Sequence, residues 1–452
     1  MLTLLERVGD AAPAARLALR AARLAYHRGD EAEARALLAR AASAADEASV
    51  HAELVALGAA LATAPVEPST IAVLLPLSGR FAGIGRELRA AIELAPASGT
   101  RWLFLDTRGE PEGAADAVET AVGKGAIGIL GPVGTREALA AARAAALRQI
   151  PIALLAPADG ADPAAGVFRL VESPADEGRS VARRAAADQF PTVAVLAPRD
   201  DLGAETAEAF VAEATRLGLA VTAQGTYDPT GGDLEADVKA FLGLVPAQNP
   251  RFAAHVRRHG KKAWTTFTPD IPYSLLFLPD RHDRAALVAA YLPYFGVELR
   301  TTEFPDPAVL ARKHGGTIPQ VVQLVGGSGW NHPSLPIRGG DAVQGALIVD
   351  RFAAEHGGDT GAQFAQVFQQ RTQRAPSTAA AQAHDAALLV IAARTQAASA
   401  PAPDPRAAFR AALARATIDD GACGPAAVDG TGEIVREPIV LEVAGDQLVP
   451  AP

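Results

Sequence analysis

The sequence contains one cysteine and few aromatic residues. Cys423 has no second cysteine to pair with, so an internal disulfide and a zinc site built from several cysteines are both excluded. The redox compartment stays open, because thiol-poor chains occur in the periplasm and in the cytosol alike. Aromatic residues make up only 5% of the chain, so large stacking platforms are scarce.

Long uncharged runs and an excess of positive charge are also missing. No window of about 18 residues is both apolar and uncharged, so we expect no membrane-spanning helix. The formal net charge of −9 argues against a nucleic-acid-binding face. The densest basic segment, HVRRHGKK (His255 to Lys262), is interpreted as a solvated helix end, with a contact for an anionic polymer as the alternative.

The first twenty residues, MLTLLERVGDAAPAARLALR, do not follow the pattern of a signal peptide. They carry acidic residues early and lack a basic segment followed by an apolar one. If the protein is exported, we expect its signal to lie outside this chain.

The composition supplies enough material for several hydrophobic cores. Apolar residues make up 49% of the chain and charged residues 21%, which is typical of a soluble globular protein. A length of 452 residues predicts two to four domains, because single cores stop growing at about 250 to 300 residues.

Residues 1–64 are predicted to form a helical hairpin, followed by a linker over 65–70. Small and apolar residues recur every three or four residues on both sides of the break HRGD in ARLALRAARLAYHRGDEAEARALLARAASAA. The segment resembles one tetratricopeptide-type unit, which cannot bury its own face. We therefore expect it to dock on the next domain or to be the remnant of a longer array.

From Ile71 the pattern changes to strand, loop and helix, repeated twice over. Continuous apolar runs such as IAVLLP and AIGILGP, and later TVAVLAP and YSLLFLPD, are each followed by a polar loop and an alanine-rich stretch. Such strands are buried on both faces, as in parallel sheets covered by helices. The fold class is therefore predicted to be α/β with two Rossmann-like lobes.

The expected boundaries place 71–190 with about 347–400 in the first lobe. The second lobe is expected to hold 191–346 with about 401–452. The segment from Leu234 to Pro272 is too long for a plain connection, so we expect inserted helices or a flap. In open sheets of this kind, ligands bind outside the carboxyl ends of the strands, where the loop after IAVLLP lies.

Enzyme and metal motifs are absent or incomplete. GGSGW lacks the second glycine of a nucleophile elbow, GIGREL lacks the third glycine of a dinucleotide loop, and no G-K-[ST] occurs. His255 and His259 stand four apart, but arginines lie between them, which disfavours a dication. We therefore predict a protein without enzymatic activity, metal or cofactor.

Several segments together resemble the type I periplasmic solute-binding proteins of the branched-chain amino-acid receptor kind. In order along the chain they are IAVLLPLSGRFAGIGRELRAAIELA, GILGPVGTREALAAA, IPIALLAPADG, VFRLVESPADEGRSVA and GGDAVQGALIV. The resemblance implies two lobes joined by three crossovers, hinge closure on a small polar ligand and no catalysis. It also implies a periplasmic location and a membrane permease of the ABC transporter type as partner.

The resemblance assigns binding roles to loops at the strand ends. Ser78 and Gly79 would offer a hydroxyl and amides, with Phe81 or Ile84 covering the ligand, and the 131–135 loop would offer amides and a hydroxyl to a carboxylate. The alternative is that Ser78 and Thr135 are helix N-caps. The positions expected to face a ligand are Ser78, Gly79, Phe81, Gly134, Thr135, Ala158, Asp159, Glu172, Leu202, Tyr227, Asp280, Ser328 and Trp330.

Three departures make a free α-amino acid a doubtful ligand. Residues 156–160 lack the hydroxyls that amino-acid receptors carry there, Leu202 stands where an aromatic is expected, and Ser328 replaces an acid that would meet the ammonium group. A buried ammonium without a partner would cost several kcal/mol. Acidic residues elsewhere are candidates to replace it, and Trp330 is expected either to line the site or to belong to the core. The candidate replacements are Asp159, Glu172, Asp201 and Asp280.

A second resemblance fits the helical start and the long insertion. A helical hairpin ahead of this fold, with AALVAAYLPYFGVE followed by LVGGSGWNHPSL, is similar to the penicillin-binding-protein activator lipoproteins. That similarity implies an interaction protein that regulates a peptidoglycan synthase, with a vestigial cleft and a possible lipid anchor. The helical part is short for that group, and the chain has no lipobox cysteine.

Overall fold

The computed structural model describes residues 12–28, 30–43, 57, 66–158, 160–230, 232–301, 306–354, 358–399 and 404–451. The chain divides into two compact units. The first unit contains Met1–Val171, Gln370–Gly421 and Pro425–Val435, and the second contains Glu172–Gln369, Ala422–Gly424 and Arg436–Pro452. Two α/β units are what the repeated strand and helix pattern predicted.

The first unit begins with two helices, α1 (Ala12–His27) and α2 (Glu31–Ser43). Their contact is lined by buried alanines such as Ala18, Ala22 and Ala34, whose small side chains allow close approach. Of the two expectations for the predicted hairpin, docking on the next domain is observed. The rest of 1–64, including 44–56 and 58–64, lies outside the described residues.

Tyr26 on α1 joins the helical pair to the rest of the first unit. Its hydroxyl donates to Glu119 at 3.2 Å, and the Arg148 guanidinium lies 4.7 Å from the Tyr26 ring centroid. Arg148 also pairs with Glu119 at 3.0 Å. The three side chains thus link α1 to the helix that carries Glu119 and to the end of the helix that Arg148 follows.

The sheet of the first unit has five parallel strands in the order β2-β1-β3-β4-β5. Its strands are β1 (Glu67–Leu75), β2 (Arg101–Asp106), β3 (Ala126–Leu130), β4 (Ile152–Leu154) and β5 (Val167–Arg169). The helices between them are α3 (Ala82–Ile92), α4 (Pro111–Gly123) and α5 (Thr135–Leu147). Because β1 lies between β2 and β3, the strand order reverses beside it, and the loops after β1 and β3 leave from neighbouring carboxyl ends.

Later segments complete the first unit. They are α15 (Thr378–Ala398), α16 (Pro405–Leu413) and a small antiparallel sheet of β12 (Thr417–Ile418), β13 (Ala426–Val428) and β14 (Ile434–Val435). Phe409 on α16 fills the space above Gly128, where an added Cβ would lie 2.2 Å from the ring. A strand glycine here makes room for an aromatic side chain from far along the chain.

The sheet of the second unit follows the order β16-β15-β11-β10-β8-β6-β7, with β9 paired to β10. The strands are β6 (Thr192–Pro198), β7 (Ala220–Tyr227), β8 (Leu275–Leu278), β9 (Glu298–Leu299), β10 (Val321–Gly326), β11 (Leu347–Asp350), β15 (Ile439–Ala444) and β16 (Gln447–Pro450). Strands β6 to β11 run parallel, and β15 and β16 add an antiparallel hairpin. The sheet is therefore mixed rather than all parallel.

The helices of the second unit include three from the long insertion. They are α6 (Pro174–Ala187), α7 (Asp201–Arg216), α8 (Leu234–Phe241), α9 (Pro250–His259), α10 (Ala263–Thr266), α11 (His282–Tyr294), α12 (Pro307–Lys313) and α13 (Ser334–Gly339). The insertion predicted to hold helices or a flap forms α8, α9 and α10. Helix α14 (Gly358–Thr372) carries the chain from the second unit back to the first.

The unit boundaries differ from those expected from the sequence. Residues 172–190 and strand β11 lie in the second unit, because β11 pairs with β10 and α6 packs on α7. Residues 404–421 and 425–435 lie in the first unit, because α16 packs against α15 and β3. The apolar runs alone could not show which sheet each late segment would join.

None of the described helices is both long enough and apolar enough to cross a membrane.

Two ion pairs flank the places where β5 and β14 lead into the second unit. In the first unit, the Arg169 guanidinium contacts Glu433 at 2.7 and 3.2 Å and donates to the Val171 carbonyl at 3.1 Å. In the second unit, Glu172 lies 3.5 Å from the Arg436 guanidinium. The charges are reversed between the two strands, and both arginines are almost fully buried.

Replacing Arg169 by alanine should lower the free energy of unfolding of the first unit by about 3 kcal/mol, because Glu433 and the Val171 carbonyl would lose a buried partner. Equilibrium denaturation in urea measures the change. The exposed Arg143→Ala is the matched control and should shift stability by less than about 0.5 kcal/mol. An equal effect of both substitutions would contradict this account of the pair.

Candidate functional site

The loop after β1 is held by Asp106 at the end of β2. The Asp106 carboxylate accepts hydrogen bonds from the backbone N–H groups of Leu77 at 2.8 Å, Ser78 at 3.2 Å and Arg108 at 2.9 Å. Burial acts to raise the pKa of Asp106, but hydrogen bonds from the Ser78 hydroxyl and these amides outweigh it and lower the pKa below its ordinary value. The loop amides are therefore engaged by the protein's own carboxylate.

The same loop exposes Gly79 and Phe81. Gly79 has a φ of +73°, a left-handed conformation that favours glycine at this turn. The Phe81 side chain is 41% exposed and lies under the Arg80 guanidinium, 4.4 Å from the ring centroid. An added Cβ at Gly109 would come within 2.7 Å of the Phe81 ring, so the absence of a side chain at this position leaves room for the ring.

The loop after β3 is held in a similar way by Glu137. Its buried carboxylate accepts hydrogen bonds from the Thr107 hydroxyl and from the Gly134 backbone N–H. Burial raises the pKa of Glu137, the two hydrogen bonds oppose that shift, and the Asp106 charge adds to it. A carboxylate of this chain thus takes up the Gly134 amide that was predicted to bind a ligand carboxylate.

The alternative that Ser78 and Thr135 are helix N-caps is not observed. The N-cap of α3 is Phe81 and that of α5 is Gly134, and neither makes a side-chain capping bond. Thr135 is exposed at the first position of α5, and Ser78 is exposed in its loop. Both residues therefore lie on the accessible carboxyl edge of the first sheet.

The 156–160 segment contributes little to that edge among the described residues. Ala158 is buried in the hydrophobic core of the first unit, so its side chain does not reach a ligand-accessible surface. The expected contact at Ala158 is therefore corrected to a packing role. Asp159 lies outside the described residues.

In the second unit, Asp280 follows β8 and is saturated by neighbours. Its carboxylate accepts from the fully buried Tyr227 hydroxyl and from the Arg284 guanidinium at 2.7 and 3.1 Å. Burial, together with the Asp280 charge, raises the pKa of Tyr227 well above its usual range. The Asp280 side chain is only 2% exposed, so Tyr227 and Asp280 form a buried structural network rather than a ligand contact.

Trp330 belongs to the core, one of the two alternatives left open by the sequence. The indole is fully buried, and its Nε1 donates to the Leu278 carbonyl at 3.1 Å. Gly326 lies directly against it, since an added Cβ there would sit 2.1 Å from the ring. Leu202, by contrast, is 65% exposed in the first turn of α7.

Glu177 is the binding candidate that sequence reasoning missed. Its carboxylate accepts from the Ser328 backbone N–H at 3.0 Å and from the Ser328 hydroxyl at 2.5 Å. An added Cβ at Gly327 would lie 2.0 Å from this carboxylate, so the glycine lets it approach the backbone. Glu177 therefore supplies a half-buried negative charge beside Ser328, the position where the resemblance expected an acid.

The local sequence around Glu177 explains part of its placement. Ser173 and Asp176 form a capping box, with Pro174 at the first position of α6, so Glu177 falls in the first helical turn. That turn could be recognised in VESPADEG. The meeting with Ser328 could not, because the two residues are 151 positions apart.

Two further acids lie near the ends of β5 and β11. Asp350 accepts from the Asn331 side-chain amide at 2.6 Å and the Arg351 backbone N–H at 2.6 Å, and burial raises its pKa to about 6. Glu172 lies 3.9 Å from Arg351 and 3.5 Å from Arg436. Burial raises the pKa of Glu172, and the two guanidinium groups oppose that shift. Glu172 is thus an ion-pair residue in the second unit.

Among the described residues, no group of three or more potential metal ligands is present. The rings of His255 and His259 stack at 4.1 Å, and the His255 Nε2 contacts the Thr266 hydroxyl at 2.9 Å. The two histidines are thus engaged with each other and with a neighbouring helix.

A family model described as periplasmic binding protein matches residues 68–246 and 307–447, well over half of the chain. The chain belongs to the periplasmic binding protein family. Its type I fold, with branched-chain amino-acid receptors among its structural neighbours, confirms the predicted fold class and the first resemblance. Members of this family are solute-binding receptors, and membership implies an extracytoplasmic location.

Three solved structures illustrate the likeness of this periplasmic binding protein. A branched-chain amino acid ABC transporter protein from Rhodospirillum rubrum has a TM-score of 0.62 and 21% identity, covering 86% of this chain and 100% of its own. An ABC transporter substrate-binding protein from Sphaerobacter thermophilus has a TM-score of 0.58 and 16% identity, and the match covers 86% of this chain and 97% of that protein. A solute-binding protein from Rhodopseudomonas palustris BisB5, in complex with 3,4-dihydroxybenzoic acid, has a TM-score of 0.53 and 17% identity. That match covers 85% of this chain and 97% of the other protein. No curated protein matches the chain.

Asp350 should give the stability of this periplasmic binding protein a measurable pH dependence. Its carboxyl binds a proton more tightly when folded, with a pKa raised from 3.8 to about 6. The protonated Asp350 carboxyl therefore stabilises the folded state by about 3 kcal/mol relative to the ionised one. This stabilisation is fully present below about pH 4 and is lost as the pH rises through 6. Relative to the parent, Asp350→Asn should gain about that much stability between pH 4 and 7, as measured by urea denaturation at each pH.

The comparison uses the pH slope, because the loss of one hydrogen-bond acceptor in Asp350→Asn shifts stability equally at every pH. Parallel stability curves for the parent and Asp350→Asn would show that Asp350 titrates normally in the fold.

Proposed function

We propose that the protein is a solute receptor of the ABC transporter type that binds a small polar ligand at the carboxyl ends of its parallel strands. The family supports the receptor role, and the exposed Ser78 and Thr135 in the first unit and the half-buried Glu177 in the second support the place. A membrane permease would be the partner that receives the ligand.

We further propose that the ligand is neutral or cationic and presents hydrogen-bond donors, such as an amine or a polyol. The observation that carries this proposal is that carboxylates already occupy the loop amides at these strand ends: Asp106 holds the loop after β1, Glu137 that after β3 and Glu177 that after β10. An anionic ligand would meet acceptors where it needs donors, whereas an ammonium or hydroxyl group would find partners.

Glu177 is the residue proposed to select such a group in the second unit. One of its oxygens accepts both Ser328 hydrogen bonds, which leaves capacity on the other oxygen for a donor from the ligand. The Ser328 bonds also fix the carboxylate, so little side-chain freedom would be lost on binding. Asp280 would not serve this role, because Tyr227 and Arg284 saturate it.

The test is a thermal-shift screen of amines, amino acids, sugars and aromatic carboxylic acids, after native mass spectrometry has shown whether a small molecule co-purifies. Ligands that bind the folded state raise its stability with the logarithm of concentration over Kd. We expect shifts from amines or polyols and none from benzoate or 3,4-dihydroxybenzoate. Stabilisation by the carboxylic acids alone would overturn the proposed ligand class.

Glu177→Gln should weaken binding of the best amine or polyol by about tenfold to a hundredfold, because a hydrogen bond to a charged acceptor becomes a neutral one. Isothermal titration calorimetry measures the Kd. The matched control is Glu208→Gln, an exposed acid on α7, which should leave the Kd unchanged. An unchanged Kd in Glu177→Gln would move the proposed site away from this carboxylate.

A second candidate is an interaction protein of the penicillin-binding-protein activator kind, for which the ligand edge would be secondary. The specific observation in its favour is the helical pair α1–α2, which Tyr26, Glu119 and Arg148 connect to the first unit. A helical pair held in this way would present a defined surface to a partner such as a peptidoglycan synthase.

Tyr26→Ala should loosen this helical pair and speed its removal by limited proteolysis several-fold, because the ring contact to Arg148 and the hydrogen bond to Glu119 are both lost. Tyr26→Phe keeps the ring and serves as the control. If pull-downs of peptidoglycan synthases succeed with the parent and fail with Tyr26→Ala, the interaction function is favoured. Capture that is independent of Tyr26 would remove the helical pair from that function.

A further inference from the structure

A cationic patch lies on the insertion of the second unit and has no part in the proposed ligand site. It consists of Arg257 and Arg258 at the end of α9 and Lys261 and Lys262 in the 3-10 turn that follows, with His259 between them. All five side chains belong to exposed residues. Four full positive charges thus occur within six residues of a chain whose net charge is −9.

No residue in the described part of the chain neutralises these four charges. Within the part of the chain that the structure describes, Arg257, Arg258, Lys261 and Lys262 make no ion pair and no side-chain hydrogen bond. Nearby Arg251, by comparison, pairs with Asp270 and donates to the Thr268 carbonyl. The patch is therefore a free surface charge rather than one side of an internal salt-bridge network.

The turn that carries the patch is anchored to the core of the second unit. Gly260 has a φ of +57°, which ends α9 and directs the chain into the 3-10 turn. On either side of it, Phe252 and Phe267 are buried and pack edge to face with ring centroids 5.0 Å apart, and Ala263 is fully buried. The four cations are thus displayed from a packed scaffold rather than from a loose loop.

Stabilisation of the helix end explains only half of the patch. Basic side chains in the last turn of a helix interact favourably with its dipole, which accounts for Arg257 and Arg258. Lys261 and Lys262 come after the end of α9, so the dipole gives no reason for them. A positive surface that extends across the turn is complementary to an external anion.

We infer that this patch docks the protein on an anionic phospholipid surface. It offers charge without a recognition pocket, and none of the exposed large hydrophobic side chains of the described chain lies between 250 and 266. Protein interfaces usually require an apolar or aromatic anchor, whereas a surface of repeated anionic headgroups attracts clustered Lys and Arg by charge alone, at about 1 kcal/mol per residue.

The experiment is co-sedimentation of the full chain with vesicles of phosphatidylcholine alone or of phosphatidylcholine and phosphatidylglycerol in equal parts. We expect binding to the anionic vesicles only, and its loss at about 1 M salt, where the Debye length falls to about 3 Å. Absence of binding to the anionic vesicles at low salt would overturn the inference, as would equal binding to both kinds.

The variants compare the patch with the same charge removed elsewhere. Each neutralised cation of the patch should weaken vesicle binding about fivefold, so the quadruple variant should lose a few hundredfold. The patch variant is Arg257→Gln, Arg258→Gln, Lys261→Gln and Lys262→Gln. The control variant is Lys124→Gln, Arg143→Gln, Arg374→Gln and Arg415→Gln, all exposed residues of the first unit.

Two outcomes distinguish the patch from net charge and from misfolding. If both quadruple variants lose binding equally, net charge rather than the patch drives it, and the inference fails. Arg257→Lys with Arg258→Lys should retain binding, because headgroup attraction needs charge rather than a bidentate fork. Circular dichroism and the Tm of each variant check that the fold is intact.

Discussion

The arrangement of the strand ends depends on one requirement: backbone N–H groups in tight loops at the carboxyl edge of a sheet need acceptors. In this protein the acceptors are carboxylates of its own chain. Asp106 satisfies the loop after β1, Glu137 the loop after β3, and Glu177 the turn after β10. Because each acid fixes a loop and leaves negative charge at the sheet edge, loop geometry and ligand preference are set by the same side chains.

The units are connected through strands whose buried charges must also be compensated. Arg169 and Glu433 pair before the chain enters the second unit, and Glu172 and Arg436 pair after it has done so. In each of the two segments, only two apolar residues separate the charged residue of the first pair from that of the second. Burying an arginine without its partner would cost several kcal/mol, so the register of both strands is tightly specified at this point.

Much of the fold could be predicted from the sequence, because continuous apolar strands followed by small-residue helices allow few architectures. The site could be predicted only in part. The exposed loop of Ser78 and Phe81 follows directly from a strand end, whereas Glu177 reaches Ser328 from a helix far away in the chain. Tyr227 and Trp330 carry polar atoms typical of binding sites, yet buried partners, the Asp280 carboxylate and the Leu278 carbonyl, satisfy them within the core. Side-chain partners across the fold decide such cases, and no local pattern records them.

Gly128 and Phe409 also constrain the order in which the molecule can assemble. The gap that Gly128 leaves on the central strand β3 is filled only by a ring that is synthesised about 280 residues later, after Glu172–Gln369, the main segment of the second unit. Until Phe409 has been synthesised, part of the apolar face of the first sheet stays uncovered. Most of the core of the second unit is available before that point. An apolar surface left uncovered in this way favours aggregation until the last helix of the first unit packs on the sheet.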